Sequence, residues 1–280
     1  MPAITAIPCP AREISDRFPE TALRIALLAD LHANRDAVEA CLADAESQGA
    51  EHFVFLGDLV GYGPEPGWVV DMVRARVEAG DAVAILGNHD AAALVQPRQG
   101  AHAATRPGGG MNPDAQAAVS WTASRLDNAQ RAFLAGLPLS VEAHDSLYVH
   151  ANAWAPGAWE YVLGELDAGR SMRATRCRLS FIGHVHQPGL FHLRADGRVG
   201  SFVPVPGEPI PLTPTRRWLA IPGSAGQPRD GDPSACWAMH DVEAGTLCFH
   251  RVPYDHLAAA ARVREAGLPE RLAARLERGR

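Results

Sequence analysis

"LRIALLADLHANRDAVEACLADAESQG" occupies residues 23–49 and opens with seven residues dominated by apolar side chains. A run that short and continuous suits a strand buried on both faces. After the break "DLHAN", Val38, Cys41, Leu42 and Ala45 recur at helical spacing, and Gly49 supplies the stop. The same order then repeats. "HFVFL" (52–56) reads as a second strand, 66–80 as a helix opened by Pro66 and closed by Gly80, and "AVAIL" (82–86) as a third strand. Strands alternating with helices imply a parallel sheet with right-handed crossovers.

Downstream the pattern changes. Residues 96–112, "QPRQGAHAATRPGGGMN", lack periodicity and read as a flexible loop or lid. Helices are expected near 113–126 and 128–135. Short strands separated by turns such as "RADGRV" and "DVEAGT" follow within 138–151 and 178–252, interrupted by a helix near 159–170. The tail, 255–280, reads as one or two amphipathic helices split at Gly267–Pro269. Residues 1–280 thus read as a single two-layered α/β domain with an N-terminal extension over 1–22. Its first half is expected to be parallel and its second mostly antiparallel.

Composition narrows the function. The chain has 280 residues, 47% hydrophobic, with a formal net charge of −6. The acidic balance counts against nucleic acid as the main partner. No apolar run approaches the roughly 20 residues of a membrane helix, and residues 1–20 lack the layout of a signal peptide, so a cytoplasmic location without membrane contact is expected. All 26 basic residues are arginine. A Schiff-base lysine and the lysine of a P-loop are therefore excluded. Five cysteines with no CxxC pair suggest neither a disulfide framework nor a zinc ribbon.

Ligands of open α/β sheets sit beyond the carboxyl ends of the strands. Five expected strand ends here deliver Asp30, His32 and Asn34; Asp58; Asn88 and His89; His150; and His184 with His186. D-x-H in an extended segment puts Asp30 and His32 on one side, able to chelate one ion, and His184 and His186 can do the same. Asp58 is a hard oxygen ligand able to bridge two cations, and Asn88 offers a neutral carbonyl oxygen. Nitrogen and oxygen donors without thiolate suit Mn, Fe, Zn or Co better than Ca or Mg. Two such ions can activate water and clamp a phosphoryl group, while His89 stands ready to protonate a leaving alkoxide.

The blocks "DLH" (30–32), "GDLVGYG" (57–63), "GNHD" (87–90), "VHA" (149–151) and "GHVHQP" (183–188) resemble the calcineurin-like metallophosphoesterases. "PGSAGQPRDGDP" (222–233) is similar to a stretch of the small stand-alone bacterial phosphodiesterases and phosphatases in that superfamily. The resemblance implies an α/β four-layer αββα sandwich with two metal ions, Mn²⁺ or Fe first and Zn²⁺ or Co²⁺ next. It implies Asp30, His32, Asp58 and His186 at the first metal, with Asp58 bridging. Asn88, His150 and His184 then belong to the second, and His89 touches the substrate phosphate. The expected activity is hydrolysis of a small phosphoester or nucleotide, as diesterase or monoesterase. The alternatives are a phosphoprotein phosphatase or a non-catalytic scaffold of the same fold.

One departure stands out. Protein phosphatases of the superfamily carry Asp-Arg within GDxVDRG, where the Asp orients the histidine; here Gly61 and Tyr62 stand instead. Asp90 is the candidate left for that task. Arg229 could grip a phosphate. Trp154 and Trp159 are candidates for core packing or for the wall of a pocket. The remaining histidines, His102 among them, are read as core, surface or loop residues. Homo-oligomerisation is left open, with the 255–280 helices as the surface available for it.

Overall fold

The computed structural model describes residues 24–95 and 111–280. The N-terminal extension, the loop 96–112 apart from Met111 and Asn112, and His102 lie outside the described residues.

β1 (Arg24–Leu28), β2 (His52–Phe55) and β3 (Ala82–Ala84) pair in parallel, linked by α1 (Arg35–Ser47) and α2 (Pro66–Ala79). The Asn34 side chain caps α1 by accepting from Ala37 N, and α2 ends where Gly80 turns left-handed at φ 84°. β1 also pairs antiparallel with β11 (Ala235–Asp241), which continues into β12 (Thr246–Val252) and the two-residue β9 (Ile210–Pro211).

A second sheet contains β4 (Ser140–Ala143), β5 (Ser146–Val149), β6 (Leu179–Phe181), β10 (Arg217–Ile221), β7 (Gly189–Leu193) and β8 (Val199–Phe202), in that spatial order. The pairings of the chain's second half are mostly antiparallel, as the sequence suggested, but β5, β6 and β10 form a parallel core within the sheet. The helix α6 (Glu165–Arg173) carries the chain from β5 to β6. It starts later than the 159–170 expected. Pro156–Ala158 form a 3₁₀ turn, Trp159 is left-handed at φ 58°, and only beyond Gly164 does helix begin.

Side-chain alternation explains the layering. Ile25, Leu27 and Ala29 of the β1 strand and its exit meet Tyr148, Phe181 and Trp218 of the second sheet in one buried cluster. Ala26 and Leu28 face the other way, toward Val38, Cys41, Val69 and Val73 of α1 and α2. On the far side, Leu147, Leu219 and Ile221 pack against Ala168 and Met172 of α6. The two-layered reading is thereby corrected to four layers, helix–sheet–sheet–helix. The remaining helices are α3 (Asn88–Leu94), α4 (Pro113–Ala123), α5 (Asn128–Ala135), α7 (His256–Glu265) and α8 (Glu270–Arg278). The last two form the tail, broken at 267–269 as the sequence suggested. No helix among the described residues is long and apolar enough to cross a membrane.

His240 sits in the inter-sheet layer against Phe181, 3% exposed, with Nδ1 unbonded. Burial pushes its pKa down to about 4. Between that value and the unfolded value near 6.5 the unfolded chain binds more protons, so stability falls as pH falls through this window and is fully present above it. His240→Leu is expected to retain about 3 kcal/mol more of its stability than wild type between pH 6.5 and 4. Urea melts across that range check it; parallel curves for the two proteins would refute it.

Candidate functional site

The exits of β1, β2, β3, β5 and β6 meet at one edge of the sandwich, and the side chains they carry fall into two clusters. Asp30, His32 and His186 form one and Asp58, His150 and His184 the other, the ligand-type atoms of each lying within 4.8 Å of one another. All six residues are buried. Asp30 and His32 share a cluster, but both are left-handed, so the extended segment assumed for D-x-H is not what brings them together. His184 and His186 do not share one, which corrects the reading that they chelate one ion. Both histidines are left-handed (φ 69° and 65°), so the segment is not extended and their side chains diverge. Asp30, His32 and Asp58 are left-handed too, at φ 47–54°. Each such non-glycine residue costs about 1–3 kcal/mol, a strain found where function over-determines the backbone.

Backbone carbonyls set the histidine tautomers. A carbonyl only accepts, so each ring nitrogen facing one carries the proton. His32 Nδ1 donates to Val60 O (3.1 Å), His150 Nδ1 to Leu56 O (2.8 Å) and His186 Nδ1 to Gln227 O (2.7 Å). Their Nε2 atoms are thereby turned inward. His184 is reversed: Nε2 donates to Trp159 O (3.0 Å), which leaves Nδ1 free. His32 Nε2 and His186 Nε2 consequently face each other at 3.1 Å, two acceptors with no proton between them. His150 Nε2 meets Asn88 Oδ1 at 3.1 Å and, with the ring kept protonated by the neighbouring Asp58 carboxylate in the free protein, donates to it. The opposed His32 and His186 lone pairs inside a buried site fit a cation.

Asp58 lies between the clusters. Its Oδ1 accepts from His89 N (2.8 Å), and its Oδ2 stands 3.7 Å from His32 Nε2 and 3.4 Å from His150 Nε2. Asp30 accepts from His184 N through both oxygens. Protonation follows from burial and neighbours. Burial pushes Asp30 up to about 7 and His184 down to about 3, and holds His32 and His186 well below the usual imidazole range. For His150 burial acts in the same downward direction, but the Asp58 carboxylate outweighs it and raises the ring to about 9. For Asp58 burial is likewise outweighed, by the imidazoles of His150 and His89, so its carboxyl stays well below the usual carboxylate range.

Asn88 and His89 open a short helix, α3, that the sequence did not announce. His89 is buried and its Nδ1 has no partner among the described residues; burial pushes its pKa down to about 4. Asp90 does not orient it, which corrects the expectation. Asp90 Oδ1 accepts from Val60 N and Oδ2 from Gly87 N, both at 3.0 Å, so the carboxylate fastens the Asp58 loop to the start of α3. What lies against His89 is Tyr62, ring centroids 4.4 Å apart, and Gly61, whose added Cβ would come within 2.5 Å of Nδ1. A carboxylate at residue 61 has no room in this arrangement. Gly87 is equally constrained, because a Cβ there would collide with Asp58 N and Oδ1.

Of the aromatic wall, Trp159 was a candidate from the sequence, whereas Tyr62 and Tyr161 were not. Tyr62 packs on His32 as well (4.4 Å), Tyr161 stacks on His184 (3.9 Å) and Trp159 meets His150 edge-on (5.8 Å). Of the two tryptophans considered, Trp159 is at the site, whereas Trp154 lies under the Arg170 guanidinium. Arg229 is half-buried, stands over Tyr62 at 5.5 Å and acts electrostatically on Asp30, His32, His89 and His186.

Residues 23–245, about four-fifths of the chain, match the description of the calcineurin-like phosphoesterase superfamily domain. The chain belongs to that superfamily. An uncharacterized protein of Methanocaldococcus jannaschii is 30% identical over 260 residues, covering 91% of this chain and 98% of that one. Among solved structures, a metallophosphoesterase from Sphaerobacter thermophilus is 35% identical with a TM-score of 0.79, covering 93% of this chain and all of the other. A hypothetical protein of Pyrococcus horikoshii, 20% identical with a TM-score of 0.71, shares the fold over 92% of this chain and 98% of its own. Within the calcineurin-like superfamily, the clustered side chains supply two groups of metal-ligand type.

Proposed function

We propose that the protein is a dinuclear metal-dependent phosphoesterase acting on a small phosphoester or nucleotide. The observation that carries this reading is Asp58 Oδ2, a single carboxylate oxygen within 3.7 Å of an imidazole from each of two ligand clusters. Asp30, His32, Asp58 and His186 would hold one cation and Asp58, Asn88, His150 and His184 the other, with Mn²⁺ or Fe the best match to this donor set. A bound pair of this kind lowers the pKa of water and draws charge from the phosphoryl oxygens.

The chain's own groups do the rest. The carbonyls of Leu56, Val60, Trp159 and Gln227 fix which nitrogen of each ring faces the site and aim it. His89 contacts the phosphate and passes a proton to the leaving oxygen. Burial holds it neutral in the free protein, and an incoming phosphate anion acts in the opposite sense, favouring the charged ring. Arg229 neutralises a further phosphate oxygen. Gly61, pressed against His89, speaks against the protein-phosphatase arrangement, and the filled ligand positions speak against a non-catalytic scaffold.

Protein loaded with Mn²⁺ is expected to hydrolyse bis(p-nitrophenyl) phosphate or p-nitrophenyl phosphate. Metal-loaded protein inert toward both, and toward a panel of nucleotides, would overturn the reading.

A further inference from the structure

The His89 ring has no hydrogen bond to hold it. The bond to Asp58 is made by the backbone N–H, and among the described residues no group bonds the imidazole. The χ2 torsion of a histidine is soft and roughly two-fold, so an unbonded ring keeps one orientation only where packing imposes it. His32 differs, because its Nδ1 donates to Val60 O and that bond fixes the ring. Around His89 the packing comes from the Gly61 backbone, from His32 edge-on (ring centroids 4.9 Å apart) and from the Tyr62 ring (4.4 Å).

Tyr62 is itself constrained. Its backbone is left-handed at φ 61°, a conformation that bulky residues keep only where neighbours over-determine it. Those neighbours come chiefly from the C-terminal tail. Tyr62 is 6% exposed and shares one apolar cluster with Ala259 and Val263 of α7 and Leu272 and Leu276 of α8, completed by Ala115 and Ala118 of α4. The same four tail residues line one cleft with His32 and Tyr62. The tail is fastened to the catalytic edge at two points: Arg262 of α7 pairs with Glu65, three residues after Tyr62, at 3.1 Å, and Gly231 N donates to Gly279 O at 2.7 Å. Both helices lie beyond residues 23–245, the stretch shared with the superfamily domain.

We propose that Tyr62 is the positioning residue of His89, and that the α7–α8 pair, by packing on Tyr62, forms part of the catalytic edge. An aromatic face against the imidazole does the orienting that a carboxylate at residue 61 has no room to do. The proposal rests on the phosphoesterase reading for what His89 does, but its geometry is tested without turnover.

The geometry is read by NMR on Zn²⁺-loaded protein carrying ¹³C-labelled histidine, the His89 ring signal being the one lost in His89→Ala. Leu276→Ala, a deletion in the tail, is expected to shift or split that signal. Leu247→Ala is the control, an equal deletion at a fully buried position paired with His240 near the start of β1, away from the strand exits; it is expected to leave the signal in place. The rate is read on bis(p-nitrophenyl) phosphate. Tyr62→Leu is expected to lower kcat about 10- to 10²-fold, the cost of a misplaced catalytic group, with both metals retained. Tyr62→Phe keeps the ring and should restore most of the rate. Because Tyr62 acts through His89, the double variant Tyr62→Leu/His89→Ala should be no slower than His89→Ala alone. A thermal melt shows which variants are folded at the assay temperature, and Leu276→Val replaces Leu276→Ala if the latter is not. A His89 signal unmoved by the tail deletion, or losses that add in the double variant, overturns the proposal. A wild type inert toward the ester overturns the hydrolase reading alone, because the NMR comparison needs no catalysis.

Discussion

Asp58→Asn is expected to abolish paired metal loading and to lower turnover by at least about 10³-fold, the several kcal/mol of charge stabilisation a metal pair provides. The carboxamide copies the shape of the carboxylate but cannot do both of its jobs. One oxygen of Asp58 accepts from His89 N while the other faces both clusters. In Asn the amide nitrogen must replace one of them. Turned inward, it removes the shared ligand; turned outward, it opposes the His89 N–H. Either way a unit of negative charge is lost from between the two clusters. Metal analysis and kcat on bis(p-nitrophenyl) phosphate measure the effect, with a thermal melt as the control for folding. A variant that keeps two metals per chain and turns over within tenfold of wild type refutes the bridging role.

His89→Ala should behave differently. Turnover is expected to fall about 10²- to 10³-fold, the range for removing one group that meets charge in the transition state. Both metals should stay. The backbone N–H of residue 89 still donates to Asp58, and Asn88 keeps its place at the first turn of α3. The separation of the two readouts is the content of the prediction: normal rates would remove His89 from the chemistry, and lost metal would make it structural.

The parts of this site that were legible in the sequence are those set by local chemistry. β1, β2 and β3 are continuous apolar runs followed directly by polar groups and glycines, so both the strands and the candidate ligands at their ends could be read off. α1 and α2 carry their own caps and stops. α3 was missed because seven residues are too short to show a period; it is held by Asp90 reaching back to Gly87 and across to Val60. The parallel order of β5, β6 and β10 was missed for a related reason: the alternation within a strand says which face is buried but not which neighbour it pairs with.

Tyr62 shows the same limit at the site. In sequence it is one residue of a glycine-rich loop; in the fold it touches His32, His89 and His186, and lines the cleft with α8. Leu272 and Leu276 are apolar positions of an amphipathic tail until the chain folds back over 200 residues to line a cleft with His32 and Tyr62.

By itself, then, the sequence determined which side chains stand at the strand ends and what kind of ion they would favour, because ligand type and strand exit are properties of a few adjacent residues. Only the tertiary structure decided which nitrogen of each histidine faces inward, that Asp90 is a backbone tie, and that Tyr62 and Tyr161 wall the site. Those are matters of contact between segments far apart in the chain, where left-handed turns and carbonyls from neighbouring loops set the direction of each group, and no local pattern encodes a direction in space.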